Sequence, residues 1–551
     1  MSPATQKSHR NNQRWRICRV AHSIVFFNRR TTQKPRFLVI KLPNSPRNIG
    51  ASSYEINSDS DGRMTANEFA NYTFDAASRI TGLSQNLWAS RTVTQVIGTG
   101  TTVITERFLT PLTWQASYDR RNRVTGFNRN GATTSFSYDA NSNRLTSIDK
   151  TTSDTDLDGD FDQADFSQTS SQATTLGAGS NKLLGFSQTI TKVRGTRTLA
   201  TTNSAVNYSL DQNGNLTSDG LRAFDYDEAN RLSKVKITKD GEAASITYLH
   251  NALGQRVFKG EPKADQYLPN ESTLGTGYIN WLKKNFAWLF VKAQADASIG
   301  TAFTYADEQL PVWAVLGEYD NGSAKGAGKT EYLWLPTEDQ SQAIPIGMFR
   351  NGRFFAVHSD HLGTPRLVTD EQNKPVWQWP YSAFGNNKPT GVLKATTNPR
   401  SAITNQPTLL RATTATEFNL RFPGQYADDE AGSFYNYFRT YQPNQGRFTQ
   451  SDPIGMDGGL NRFGYVGGNA LSKSDPMGLI ATPSTPNMSF APSPTPPATD
   501  TQLCLVDCAR ERQACTALCT RARFDSDMPN IFGGSFRACM KGCMPARCGG
   551  N

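Results

Sequence analysis

The sequence predicts a mainly β protein built from antiparallel β-hairpin repeats, followed by a small Cys-rich α-helical C-terminal domain. Three observations carry that prediction. A degenerate motif recurs, with an aromatic residue and Asp, a turn of small and amide residues, then an Arg/Leu strand: YTFDAASRITGL (72–83), SYDRRNRVTGF (117–127), SYDANSNRLTSI (137–148), YSLDQNGNLTS (208–218) and DYDEANRLSKV (225–235). Tyr118-Asp119 and Tyr138-Asp139 lie 20 residues apart, which fits one hairpin per repeat with Asp, Asn, Gly or Ser supplying the turn. The 44 Gly and 28 Pro suit many short strands joined by turns, and seven of the eight Cys fall after residue 500, where the composition changes.

Residues 1–53 read as a basic tail, disordered or outside the native fold. No Asp or Glu precedes Glu55, and the net charge of +10 is concentrated in this tail, so the repeats themselves give no reason to expect nucleic-acid binding. The apolar run Val20 to Phe27 contains His22 and Ser23 and has no small-residue cleavage site after it, so it is neither a membrane span nor a signal peptide. Repeats occupy residues 54–260. An insertion at 261–330 contains YINWLKKNFAWLFV (278–291), in which Lys283 and Lys284 favour an amphipathic helix over a span.

Two segments have the spacing of an EF-hand loop. In DTDLDGDFDQAD, Asp154, Asp156, Asp158, Asp162 and Asp165 fall at positions 1, 3, 5, 9 and 12, and clustered carboxylates of this kind repel one another without a cation such as Ca2+. A solvated acidic loop is the competing reading. Asn57, Asp59, Asp61, Thr65 and Glu68 fit the same spacing but read more simply as a repeat turn.

Residues 331–479 form a further block. HSDHLGTPRLVTD (358–370) groups His358, Asp360 and His361, but with no further His nearby and Gly363-Thr364-Pro365 as a turn, these favour structural hydrogen bonding over a metal site. Trp377, Trp379, Tyr381 and Phe384 suggest alternating burial along a strand. In QGRFTQSDPIGMDGGLNRFGYVGGNALSKSDPMGL (445–479), Asp-Pro-x-Gly occurs at Asp452–Gly455 and again at Asp475–Gly478. A single copy reads as turn chemistry. Two copies ending in Gly-Leu at a composition break suggest a carboxylate pair, in which one group activates water and the other protonates a leaving group. Arg447 is placed to hold an ionised partner, and Asp457 is a spare carboxylate.

The repeats, HSDHLGTPRLVTD, the segment LRFPGQYADDEAGSFYNYFRTYQPNQGRFTQSDPIG (420–455) and the paired Asp-Pro-x-Gly resemble the RHS/YD-repeat core of bacterial polymorphic toxins from about residue 54 to 479. That resemblance implies a β-spiral closed into a hollow shell. It also implies self-cleavage of the Leu479–Ile480 bond by Asp452 and Asp475, with residues 480–551 as the cargo. An immunity protein and a secretion apparatus would be partners, and the product would be secreted or displayed on a cell surface. The alternative is a surface or secreted YD-repeat adhesion or carbohydrate-binding protein whose Asp-Pro-x-Gly motifs are turns only.

Residues 480–500 are a Pro/Ser/Thr linker. In 501–551, Cys504, Cys508, Cys515 and Cys519 share one face of a helix, and Cys539 and Cys543 repeat the four-residue spacing ahead of Cys548. The spacing resembles disulfide-stapled helical hairpins. Zinc competes less well, since the tail holds no His. The same lack excludes histidine-dependent nuclease chemistry in the tail, and it has no Gly-rich phosphate loop.

Overall fold

The computed structural model describes the backbone of residues 15–20, 23–28 and 36–40, and residues 57–61, 63–97, 100–153, 165–239, 242–260, 300–306, 310–321, 328–336, 342–396 and 409–483. The amphipathic segment 278–291, the linker beyond Pro483 and all seven tail Cys lie outside them. Strands β1 (Trp15–Val20), β2 (Ser23–Asn28) and β3 (Arg36–Ile40) pair as an antiparallel sheet, so the early apolar run falls on strands.

The repeat motif builds its own turn. At Asp119, Oδ1 accepts the N–H groups of Arg121 and Arg123 at 2.8 and 3.0 Å, and Oδ2 accepts from Arg123 Nε at 2.6 Å. Asn122 between them takes a φ of 62°, a left-handed conformation that Asn tolerates. Asp75 with Arg79 and Asp227 with Arg231 repeat this arrangement, and Asn143 and Asn215 replace Arg opposite Asp139 and Asp211. The Arg then reaches the following repeat. Arg79 lies 5.0 Å over the Tyr118 ring and Arg123 lies 4.7 Å over Tyr138. Each Tyr hydroxyl donates back across the contact, Tyr118 to the Ile80 carbonyl and Tyr138 to the Val124 carbonyl, both at 2.7 Å. One motif thus closes a turn and fastens it to its neighbour.

Repetition produces two antiparallel meanders. Strands β4 to β14 run in sequence order from Asn57–Ser58 to Arg197–Asn207 in one sheet, and β15 (Ser209–Leu210) to β27 (Pro375–Gln378) form a second. Only Tyr208 separates β14 from β15, so the chain passes directly from one sheet to the other. Gly300–Tyr305 and Val315–Asn321, inside the expected insertion, are successive strands of the second meander.

The end of the second meander returns to the beginning of the first. Strand β28 (Leu393–Thr396) pairs in parallel with the early strand Ile80–Ile97, and two buried amides stitch the same seam. Gln378 accepts from Trp88 N–H at 2.6 Å and donates to the Trp88 carbonyl at 3.1 Å. Gln85 donates to the Trp379 carbonyl at 3.2 Å and accepts from Tyr381 N–H at 3.1 Å. Because both side chains are 1% exposed, these bonds form away from water. Trp377, Trp379, Tyr381 and Phe384 are all buried and Val376, Pro380 and Ser382 less so, as alternation predicts, while Gln378 between the two Trp is buried as well.

A shared core joins early residues such as Tyr72 and Trp114 to Trp334, Trp377 and Tyr441. On it rests a four-stranded sheet, β30 (Tyr426–Asp428), β31 (Ser433–Asn436), β32 (Arg439–Gln442) and β33 (Arg447–Phe448), which leads into the two Asp-Pro-x-Gly segments. Among the described residues no helix is long and apolar enough to cross a membrane.

Candidate active site

Both Asp-Pro-x-Gly motifs form turns. Asp452 Oδ1 accepts from Ile454 N–H at 3.1 Å, and its carbonyl accepts from Gly455 N–H at 3.0 Å. Asp475 Oδ1 accepts from Leu479 N–H at 2.8 Å, and its carbonyl from Gly478 N–H at 3.2 Å. The second turn lies within a tight loop, because β34 (Lys473–Ser474) pairs with β35 (Thr482–Pro483). The Leu479–Ile480 bond is therefore held between paired strands, with Ile480 59% exposed. Buried Asn436 anchors the loop by donating to the Asp475 carbonyl at 2.8 Å and the Pro476 carbonyl at 3.2 Å.

The fold brings the two carboxylates together through Arg439. Its Nη2 lies 2.9 Å from Asp452 Oδ2 and 3.4 Å from Asp475 Oδ2, and all three side chains are 2–3% exposed. Arg439 also donates to the carbonyls of Gly478 and Arg462, and its guanidinium lies 3.6 Å over the Phe448 ring. Burial pushes the Asp452 carboxyl above its ordinary range, with Arg439 opposing. Burial likewise raises Asp475, Arg439 opposes, and the neighbouring Asp452 adds to the rise. Burial pulls Arg439 down to about 10 while the two carboxylates favour its charge.

The carboxylates face different atoms of the chain. A Cβ placed on Gly458 would collide with Asp452 Oδ2 and lie 3.0 Å from the Leu479 carbonyl oxygen, so this carboxylate and that carbonyl meet around one glycine. Asp475 binds the Leu479 N–H and also interacts with the Ile480 N–H, the nitrogen that peptide hydrolysis would release. The arrangement can therefore supply a base near the carbonyl and an acid near the leaving nitrogen.

Arg447 does not join this group. Its Nη2 donates to the Asn181 carbonyl at 2.5 Å and its guanidinium lies 4.9 Å over Phe463, so Arg439 occupies the position expected for it. Asp457 is exposed on the short turn Gly455–Gly458. Of the acidic loop, only Asp165 falls among the described residues, where it is buried. In the earlier segment Asp59 is engaged by Arg63 at 2.7 Å and Glu68 by His358 at 2.6 Å, so the repeat-turn reading holds there. Asp360 accepts from Leu362 and Thr364 N–H and from Arg366 Nε, while His361 donates to the Leu471 carbonyl at 2.8 Å. Burial lowers the His361 pKa, consistent with a neutral structural imidazole. Among the described residues no group of three or more His, Cys, Asp or Glu is arranged to hold a metal.

No family model matches the chain. In sequence it is 27% identical over 282 residues to double-stranded DNA deaminase toxin A of Burkholderia cenocepacia, a match covering 50% of this chain and 17% of that protein. It is 26% identical over 382 residues to toxin protein Tse5 of Pseudomonas aeruginosa, covering 66% of this chain and 25% of the relative. Against the probable deoxyribonuclease RhsB of Dickeya dadantii it is 32% identical over 165 residues, 28% of this chain and 11% of the relative. The match to the first two thus spans a quarter or less of their length. Among solved structures, a Photorhabdus luminescens Tc holotoxin pore aligns with 86% of this chain and 23% of its own at 12% identity and a TM-score of 0.39. In its Tyr-Asp repeats and in sequence the chain is thus similar to toxins of the Rhs kind, over part of their length.

Proposed function

We propose that the chain is the C-terminal part of a YD-repeat toxin shell that cuts itself between Leu479 and Ile480 and so frees residues 480–551 as an effector. The observation that carries this reading is the placement of Asp452 and Asp475 around that bond, joined by Arg439. Asp452 removes a proton from a water molecule, and the resulting hydroxide bonds to the Leu479 carbonyl carbon. As the tetrahedral adduct collapses, the carbon–nitrogen bond breaks and Asp475 gives its proton to the Ile480 nitrogen. The products are a carboxylate on Leu479 and an amine on Ile480. Raised carboxyl pKa values support a shared proton, because two buried acids beside one cation do not both ionise readily.

The repeat-to-repeat locks and the stitched seam support a closed container for this reaction. In this reading the freed segment acts in intercellular competition after secretion, opposed in the producing cell by an immunity protein. Cleavage in water enriched in oxygen-18 tests the chemistry. The proposal requires one heavy oxygen in the Leu479 carboxylate of the larger fragment and none in the smaller, and an unlabelled carboxylate refutes hydrolysis at this bond.

A further inference from the structure

The cavity beside the Leu479–Ile480 bond is more basic than the cleavage chemistry requires. It encloses about 290 Å³ and is lined by Arg439, Asp475 and Leu479, but also by Arg121, Arg144 and Arg447. Arg447 is nine-tenths buried, and its hydrogen bond goes to a neutral acceptor, the Asn181 carbonyl. Arg144 donates to the Asn444 carbonyl and sits near the Phe136 and Phe384 rings, 5.3 and 5.5 Å from their centres. Among the described residues neither guanidinium has a carboxylate at ion-pair distance; Asp139 and Asp149 act on them only from farther away. Burial, with Arg144 as the next contributor, lowers Arg447 to about 10. Two like charges at an open cavity, Arg447 buried and Arg144 half-buried, favour an anion between them.

We infer that this cavity is an anion-binding subsite that takes a carboxylate or a comparable oxyanion between Arg144 and Arg447. Two sources share that chemistry. One is the carboxylate that hydrolysis creates on Leu479, which already lines the cavity; this source rests on the proposed cleavage. The other is a free oxyanion, which does not. With the first, the shell retains its new C-terminus in an ion pair with these guanidinium groups, which disfavours rejoining of the bond.

The test uses the full chain carrying Asp452→Asn, a residue outside the cavity lining, beside wild type. Inorganic phosphate is the probe, titrated calorimetrically at constant ionic strength. The inference requires saturable binding to the uncut chain, weakened about tenfold or more by Arg144→Gln, the loss of one charge-assisted bond, and largely recovered in Arg144→Lys. Binding to uncut but not to cut chain identifies the Leu479 carboxylate as the occupant, and equal binding to both identifies a free oxyanion. Absence of saturable binding, or equal binding to the Arg144→Gln chain, overturns the subsite even if cleavage proceeds. If wild type stays whole, cleavage fails separately and the subsite is still judged on the intact chain.

Discussion

Replacing Arg439 by Met should destabilise the protein in a way that depends on pH. The side chain of Arg439 is 2% exposed and contacts Asp452 and Asp475, themselves 2% and 3% exposed, and its loss leaves two carboxyls in the same buried space without their cation. Removing one partner of a buried ion pair costs about 3–5 kcal/mol. Burial already holds both carboxyl pKa values above 3.8, and Arg439 is the group opposing that rise, so the substitution moves both further up. An acid whose pKa is raised on folding contributes stability below its unfolded pKa and loses it as pH climbs through the folded value. The deficit of Arg439→Met should therefore be small near pH 4 and approach its full size by pH 8. Urea unfolding at pH 4.5, 6 and 8, with Asp452→Asn in both backgrounds to keep the chain whole, reads the part of this dependence that Asp475 carries. Arg439→Lys should recover part of the loss, since the charge remains while the forked donors do not. A deficit of equal size at all three pH values would refute the electrostatic account and leave only lost packing against Phe448.

Three further outcomes follow from other contacts. Gln378→Leu removes hydrogen bonds to both backbone groups of Trp88 and one to the Gly391 carbonyl, so unfolding should become easier by about 2–4 kcal/mol and proteolysis near residue 88 should accelerate; an unchanged pattern would mean that the seam is held elsewhere. Asp119→Ala removes the acceptor of two N–H groups and of Arg123, and should cost about 2–3 kcal/mol, with amide exchange rising first at residues 119–124. Gly458→Ala places a methyl group where the Asp452 carboxylate meets the Leu479 carbonyl and forces that buried carboxylate to shift beside Arg439, so cutting should slow at least about tenfold and stability should fall by about 1–3 kcal/mol; wild-type cutting would argue against that approach as the reactive one.

The legible part of this protein was local. Asp followed four residues later by Arg or Asn encodes a turn that the carboxylate closes by itself, and the 20-residue spacing places a Tyr where the preceding Arg can cover it. Asp452 and Asp475 were legible as a pair because each begins a turn of the same chemistry. The identity of their cation was not. Arg447 is nearer to Asp452 in sequence, but β32 directs Arg439 to the returning Gly478 loop while Arg447 reaches Asn181 in the repeats. Nor could the seam be read, because Gln85 and Gln378 look like solvent-facing strand residues until the far ends of the two meanders meet. Along Trp377 to Ala383 the expected alternation holds except at Gln378, which the returning chain buries from the other face.

The most direct measurement is the intact mass of wild-type chain purified and held near neutral pH, beside its Asp475→Asn variant. The account predicts two wild-type fragments that meet at Leu479 and Ile480, and one uncut mass in the variant. A single uncut mass in both, or equal cutting in both, would contradict it.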